Sequence, residues 1–173
     1  MTDAVDELTK SVPPATEAGG IAGTLSRLPA RAARVLVVED DDEMRALLDD
    51  VLKDEGYVVL DAADVLTAII DLASERVDVV ITDWKMPGSN GLDLVDSVRR
   101  WSDDLPVIMV TAFPTPDLRR RAFAAGVMGF LAKPFTNRDL VLHVRAALAA
   151  TRGSSGGSSR TPPPFPDDTI PIC

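Results

Sequence analysis

The chain has 173 residues, 46% hydrophobic and 26% charged, enough for one hydrophobic core and short for two. Its 27 acidic against 18 basic side chains leave a formal net charge of -9, a field that repels a phosphate backbone and argues against nucleic acid as a partner. The lone cysteine, Cys173, makes no internal disulfide and lacks zinc-ligand spacing, and neither an export signal nor an apolar run of about 18 residues occurs, so the expectation is a cytoplasmic protein with no membrane insertion.

Residues 1–33 contain Pro13, Pro14, Gly19, Gly20, Gly23 and Pro29 without a sustained period, and are expected to be a disordered leader. From there short β-branched or aromatic runs alternate with helical patterns over residues 34–150. The expected strands are Arg34 to Val38, Tyr57 to Leu60, Val77 to Thr82, Pro106 to Val110 and Val127 to Leu131, and they call for a parallel sheet. The expected helices are Glu43 to Asp54, Ala63 to Ser74, Leu92 to Trp101, Asp117 to Ala125 and Arg138 to Thr151. Strictly alternating strands and helices predict an α/β fold, a doubly wound five-stranded parallel sheet with five helices covering both faces.

In the first helix Met44, Leu47, Leu48, Val51 and Leu52 recur at spacings of three and four, which predicts an apolar stripe on the sheet, with Arg45, Asp49, Asp50 and Lys53 facing away. Asp41 and Asp42 precede Glu43 and are read as helix-capping or solvated acids. Arg119, Arg120 and Arg121 form the densest basic cluster, read as a solvated helix face, and His143 lies among apolar residues of the last helix and reads as structural. Residues 151–173 run through GSSGGSSR into TPPPFPDDTIPIC, a composition expected to stay disordered, with Phe165, Ile170 and Ile172 as the material for a short docking motif at most.

In a parallel sheet the carboxyl ends of all strands meet at one edge. Here the first strand ends in Glu39 and Asp40, the third in Asp83, the fourth in Thr111 and the fifth in Lys133 followed by Pro134. Three carboxylates in one cleft repel each other unless a cation sits among them, and an all-oxygen set suits Mg²⁺, whose open positions accept phosphoryl oxygens. Thr111 and Lys133 are placed to hold further phosphoryl oxygens, leaving the central Asp83 as nucleophile. A dinucleotide site is the rival for such a sheet, but EDDDEM follows the first strand instead of a glycine-rich phosphate loop.

The segments VLVVEDDDEMR, ITDWKMPGSNG, MVTA and LAKPF, in this order, resemble the receiver domain of two-component response regulators, the stand-alone kind included, over about residues 34 to 150. The resemblance implies a flavodoxin-like fold with Asp83 as phosphoacceptor. It implies Mg²⁺ held by Glu39, Asp40, Asp83 and the Lys85 backbone carbonyl. Lys133 then pairs with the phosphoryl group, and Thr111 and Phe130 form a switch in which the aromatic ring follows the threonine hydroxyl. Ala112 is then the small residue beside the pocket, and the peptide before Pro134 is cis. The implied partners are a sensor histidine kinase or histidine phosphotransfer domain, and a downstream protein on the face of the fourth helix, fifth strand and fifth helix, which also serves for homodimers in similar domains. No separate substrate turnover is implied, so the chain is not expected to be an enzyme in the ordinary sense.

Glu39 replaces the more frequent aspartate, adding a methylene, and Ser89 and Asn90 stand where methionine and aspartate are frequent. Trp84 and Met86 flank the site, with exposed packing as their expected role, while Pro87 and the Asn90-Gly91 pair support a tight entry into the third helix. Lys85 and Phe113, two residues beyond Asp83 and Thr111, flank the path of water to an acyl phosphate and are expected to slow its hydrolysis. Two other readings remain at this stage. One is a pseudo-receiver that binds partners without phosphorylation. The other is a phosphatase with an aspartyl-phosphate intermediate, which commonly carries a second aspartate where this chain has Lys85. The 21 residues after Arg152 are too few for a DNA-binding output domain, so the expected output is a protein interaction, onward phosphotransfer, or a domain carried elsewhere.

Overall fold

The computed structural model describes residues 31–152; the leader and tail expected from composition lie outside the described residues, apart from the few that border the fold. Every element described below belongs to one compact unit that begins at Ala32. Five parallel strands carry the fold: β1 Arg34–Val38, β2 Val58–Ala62, β3 Val79–Asp83, β6 Val107–Thr111 and β7 Gly129–Ala132. Two short strands, β4 Lys85–Met86 and β5 Ser89–Asn90, pair antiparallel in a small hairpin. The helices are α1 Asp42–Asp54, α2 Val65–Ser74, α3 Gly91–Trp101, α4 Pro116–Ala124 and α5 Asn137–Arg152.

The main sheet has the order β2-β1-β3-β6-β7, every pairing parallel. The chain therefore reverses its direction of travel between β1 and β3, and the carboxyl ends of these two strands flank the crevice at which open α/β sheets bind their ligands. Side chains alternate between the faces along each strand. On one face Leu36, Val38, Val80, Val107, Met109 and Phe130 pack with residues of α2, α3 and α4. On the other Val35, Val37, Ile81, Ile108, Val110 and Leu131 pack with Leu48 and Leu52 of α1 and Leu140, Val144 and Leu148 of α5. Each fully buried leucine of these helices contributes about 1.5–3 kcal/mol through apolar area removed from water.

Helix starts follow local chemistry. Asp41 caps α1 by accepting from the Met44 amide at 2.8 Å, as expected, and Asn90 caps α3 in a reciprocal box with Asp93. Thr136 and Asp139 form a similar reciprocal pair at the start of α5, the Asp139 amide donating to Thr136 Oγ1 at 3.2 Å and the Thr136 amide to Asp139 Oδ2 at 3.1 Å.

Three expectations are corrected. Leu47 belongs to the periodic stripe of α1 but is 47% exposed, whereas Leu48 and Leu52 are buried. Arg45, expected to face away, lies half-buried against the carboxyl edge. Its guanidinium donates to the Glu39 carbonyl at 2.7 Å and pairs with Asp42 and Asp61. Met86 is buried among the residues of the α2–α4 face instead of exposed, with Trp84 half-buried beside it, because the Pro87-Gly88 turn folds β5 back on β4 and seats the side chain inward. Gly88 sits at φ +78, the left-handed conformation that the third position of such a turn demands. His143 is buried, its Nδ1 2.8 Å from the Asp139 carbonyl on the preceding turn of α5, in keeping with a structural role.

Candidate functional site

β3 extends one residue further than its apolar run suggests, so that Asp83 is still in register with Val110 of β6. β6 likewise includes Thr111. Being paired in the ladder fixes both backbones, and the side chains at the strand ends inherit that rigidity. Asp83 is 8% exposed and Glu39 2%, while Asp40, one residue on, is exposed. One carboxylate oxygen from each of the three lies within 4.8 Å of the others, a spacing that a single small cation bridges. All donors are oxygens, as a hard divalent ion requires.

Lys133 enters from the far side. Its ammonium donates to Glu39 Oε2 at 2.7 Å and stands 3.3 Å from Asp83 Oδ1. The Lys133 backbone is held in turn, its amide donating to the Thr111 carbonyl at 2.7 Å, and the following peptide bond to Pro134 is cis. The other Asp83 oxygen, Oδ2, accepts from the Lys85 amide at 3.0 Å. Burial pushes the Glu39 carboxyl above its usual range; the hydrogen bond and charge of Lys133 pull it back without cancelling that, and Asp83 and Asp40 add to the rise. Burial works against the Lys133 charge, but the hydrogen bond to Glu39 and the charges of Glu39 and Asp83 outweigh it and hold the ammonium above its usual range. One ammonium thus faces three carboxylates, and the surplus negative charge is what a bound divalent cation neutralises.

Thr111 is buried, and its hydroxyl oxygen accepts from the Phe113 amide at 3.0 Å. It stands opposite Ala132 in the β6–β7 pairing, while Phe130 stands opposite Met109. Thr111 and Phe130 are therefore diagonal neighbours on one face of the sheet, with the small Ala132 opposite Thr111. Phe130 is turned inward and buried, its ring centroid 6.5 Å from that of Phe123. At the mouth, the Lys85 ammonium stands 5.5 Å from the centroid of the Phe113 ring, which is 58% exposed. Glu39, Asp40, Asp83 and Lys133 converge on this crevice with the Lys85 amide, and Thr111 stands at the end of the neighbouring strand β6.

Sequence reasoning missed the support of the site. A Cβ on Gly91 would lie 2.3 Å from the Asp83 carbonyl oxygen, so the start of α3 approaches the β3 end as closely as only glycine permits. The Gly91 amide also donates to the Trp84 carbonyl at 2.9 Å. Its place after Asn90 suggests a turn, and the close approach is visible only in three dimensions.

Residues 35–145 match the family model described as the response regulator receiver domain. The chain belongs to the response regulator receiver family. Among curated receiver-containing proteins it is 41% identical over 112 residues to the chemotaxis protein CheY of Pseudomonas aeruginosa, covering 62% of this chain and 89% of that one. It is 32% identical over 119 residues to the phosphate regulon transcriptional regulatory protein PhoB of Escherichia coli, covering 68% of this chain and 52% of PhoB. The receiver thus spans about half the length of PhoB. Among solved structures, the chemotaxis protein CheY4 of Vibrio cholerae superposes with a TM-score of 0.65 at 34% identity, over 68% of this chain and 99% of that one. The receiver's acidic cluster of Glu39, Asp40 and Asp83 is compatible with a divalent metal. Among the described residues no helix is long and apolar enough to cross a membrane.

Proposed function

We propose that this receiver accepts a phosphoryl group on Asp83 from a phosphohistidine of a sensor kinase or histidine phosphotransfer domain, and that the acyl phosphate switches a protein-interaction surface. The observation that carries the reading is the place of Asp83. One of its oxygens faces the Lys133 ammonium at 3.3 Å, the other is held by the Lys85 amide at 3.0 Å, and the acids Glu39 and Asp40 stand beside it.

An Asp83 oxygen attacks phosphorus, the new O–P bond forms as the P–N bond breaks, and the imidazole nitrogen leaves with that electron pair; with a proton on the other nitrogen the ring is cationic in the donor and departs as neutral imidazole. Lys133 and the Thr111 hydroxyl meet the charge on the phosphoryl oxygens. Glu39, Asp40, Asp83 and the Lys85 carbonyl are the groups that would hold Mg²⁺, which supplies neutralisation of the phosphoryl charge when bound. Phosphorylation draws the Thr111 hydroxyl from the Phe113 amide, and Phe130 moves into the space beside Ala132. The face of α4, β7 and α5 then presents a changed surface to a downstream protein or to a second copy of the receiver. This chemistry is stoichiometric in the protein, with no separate substrate, and suits a cytoplasmic phosphorelay.

Phosphoramidate, a small donor with the same P–N bond, tests the reading. One phosphoryl group per chain, dependent on Mg²⁺, is the expected yield. Many turnovers of a phosphate ester such as p-nitrophenyl phosphate would favour the phosphatase reading instead.

A further inference from the structure

The loop from β1 to α1 carries two of the three acids of the crevice, and connecting segments are more mobile than the elements they join. Glu39 lies one residue past the end of β1, yet both polar groups of its backbone are held. Its amide donates to the Ala62 carbonyl at the end of β2 at 3.1 Å, and its carbonyl accepts from Arg45 Nη1 at 2.7 Å. Asp41 is fixed as the cap of α1, its side chain accepting from the Met44 amide at 2.8 Å. Asp40, although exposed, therefore sits between two anchored residues. Arg45 is itself tied down: its Nη2 pairs with Asp42 in the first turn of α1, and its Nε stands 3.5 Å from an Asp61 oxygen on β2. One guanidinium thus joins the ends of β1 and β2 to the start of α1, a use of the planar fork that the single nitrogen of lysine does not reproduce.

We infer that Arg45 is a positioning residue for the divalent cation: by holding the Glu39 carbonyl it sets the backbone from which Glu39 and Asp40 present their carboxylates. The inference rests on the reading of Glu39, Asp40 and Asp83 as the acids that hold Mg²⁺. Charge alone argues the other way. A positive group near a cluster of acids repels a second cation, so an Arg45 that acted only through its field would weaken Mg²⁺ binding, and its removal would tighten it. That field is muted here, because Asp42 and Asp61 stand against the guanidinium and offset its charge. Positioning predicts the opposite sign. Mg²⁺ demands near-ideal octahedral geometry, and without the bond from Arg45 the Glu39 peptide is held only through its amide, so both acids of the loop lose definition. Asp83 lies at the end of a paired strand and does not depend on this bond.

Mg²⁺ alone, titrated into the unphosphorylated full chain and followed by calorimetry, is the probe, with urea unfolding of the metal-free proteins beside it. Arg45→Met keeps the aliphatic stem and removes every donor. It should weaken Mg²⁺ by about ten-fold, the lower end of the loss for outer-shell partners of metal ligands. Arg45→Lys keeps the charge without the fork and should also bind Mg²⁺ more weakly than the wild type. Arg145→Met removes the same charge from an exposed pair with Glu55 and should leave the affinity near that of the wild type. Tighter binding in Arg45→Met overturns the inference in favour of a field effect. Unchanged binding with lowered stability overturns it in favour of a bond that only supports the fold. Wild-type affinity in Arg45→Lys overturns it as well, since charge at that place would then suffice, and this variant decides the matter if Arg45→Met does not fold. If the wild type binds no Mg²⁺, or Asp83→Asn binds it as tightly, the metal reading of the crevice falls and this inference with it. Mg²⁺ binding that is weakened by Asp83→Asn but not by Arg45→Met removes only the role of Arg45.

Discussion

Lys133 and Glu39, 94 positions apart in the chain, meet at 2.7 Å inside the carboxyl edge of the sheet, with the carboxylate almost fully buried. The pair links the last strand to the first across the crevice that holds Asp83. Removing one partner leaves the other charge buried and unpaired, which costs more than the pair itself contributes. Lys133→Met should lower the stability of the metal-free protein by about 1–3 kcal/mol in urea unfolding, and Glu39→Gln, which keeps an acceptor for the ammonium, should cost less. Equal losses would show that the charge on Glu39 matters more than its hydrogen bond.

The same pair dictates a pH dependence. The folded state raises the Glu39 carboxyl above 4.5 and the Lys133 ammonium above 10.5, so at both groups the folded protein binds its proton more tightly than the unfolded chain. Their contribution to stability therefore falls as pH rises, first from 4.5 upward through the raised Glu39 value and again above 10.5 as Lys133 deprotonates. Unfolding curves of the metal-free protein across the weakly acidic range should lose this slope in Glu39→Gln. At the start of α5 the sign is opposite. The hydrogen bonds from the Thr136 hydroxyl and amide hold Asp139 below 3.8, a contribution present above that value and lost as pH falls through the lowered one. Thr136→Ala should cost about 1 kcal/mol at neutral pH.

Gly91→Ala tests the support beneath the acceptor. The added methyl would sit 2.3 Å from the Asp83 carbonyl oxygen, and because that atom is backbone the β3 end has to shift. A loss of about 1–3 kcal/mol should accompany a marked weakening of Mg²⁺ binding measured by calorimetry. Retention of both would mean that α3 slides away without disturbing Asp83.

Lys85 and Phe113 meet across the mouth at 5.5 Å, the ring exposed and the ammonium over it. We propose that, placed there, they obstruct water on its way to an acyl phosphate. The double variant Lys85→Ala with Phe113→Ala should lose its phosphoryl group several-fold faster, followed by phosphate release after the donor is removed. An unchanged lifetime sinks the obstruction.

The acids, Thr111 and Lys133 were legible in the sequence because each follows a short apolar run, and parallel topology brings such ends together without any knowledge of packing. The expected strands ended one residue short of Asp83 and Thr111, since an apolar run marks the buried stretch while the ladder continues into the polar site. Periodicity grouped Leu47 with Leu48, but a helix touches the sheet along a narrower stripe than its apolar pattern. Met86 read as a loop residue because the strand pair that buries it is only two residues long. The Arg45 bond to the Glu39 carbonyl and the Gly91 approach to Asp83 each depend on how one element is placed against another, which no local spacing encodes.

The most direct test of the central claim is the intact mass of the protein after incubation with phosphoramidate, with and without Mg²⁺, for wild type and Asp83→Asn. Phosphorylation on Asp83 predicts a single phosphoryl adduct in wild type with Mg²⁺, absent without the metal and absent in Asp83→Asn. An adduct that persists in Asp83→Asn, or none in wild type with Mg²⁺ when a cognate phosphohistidine donor is also offered, would contradict it.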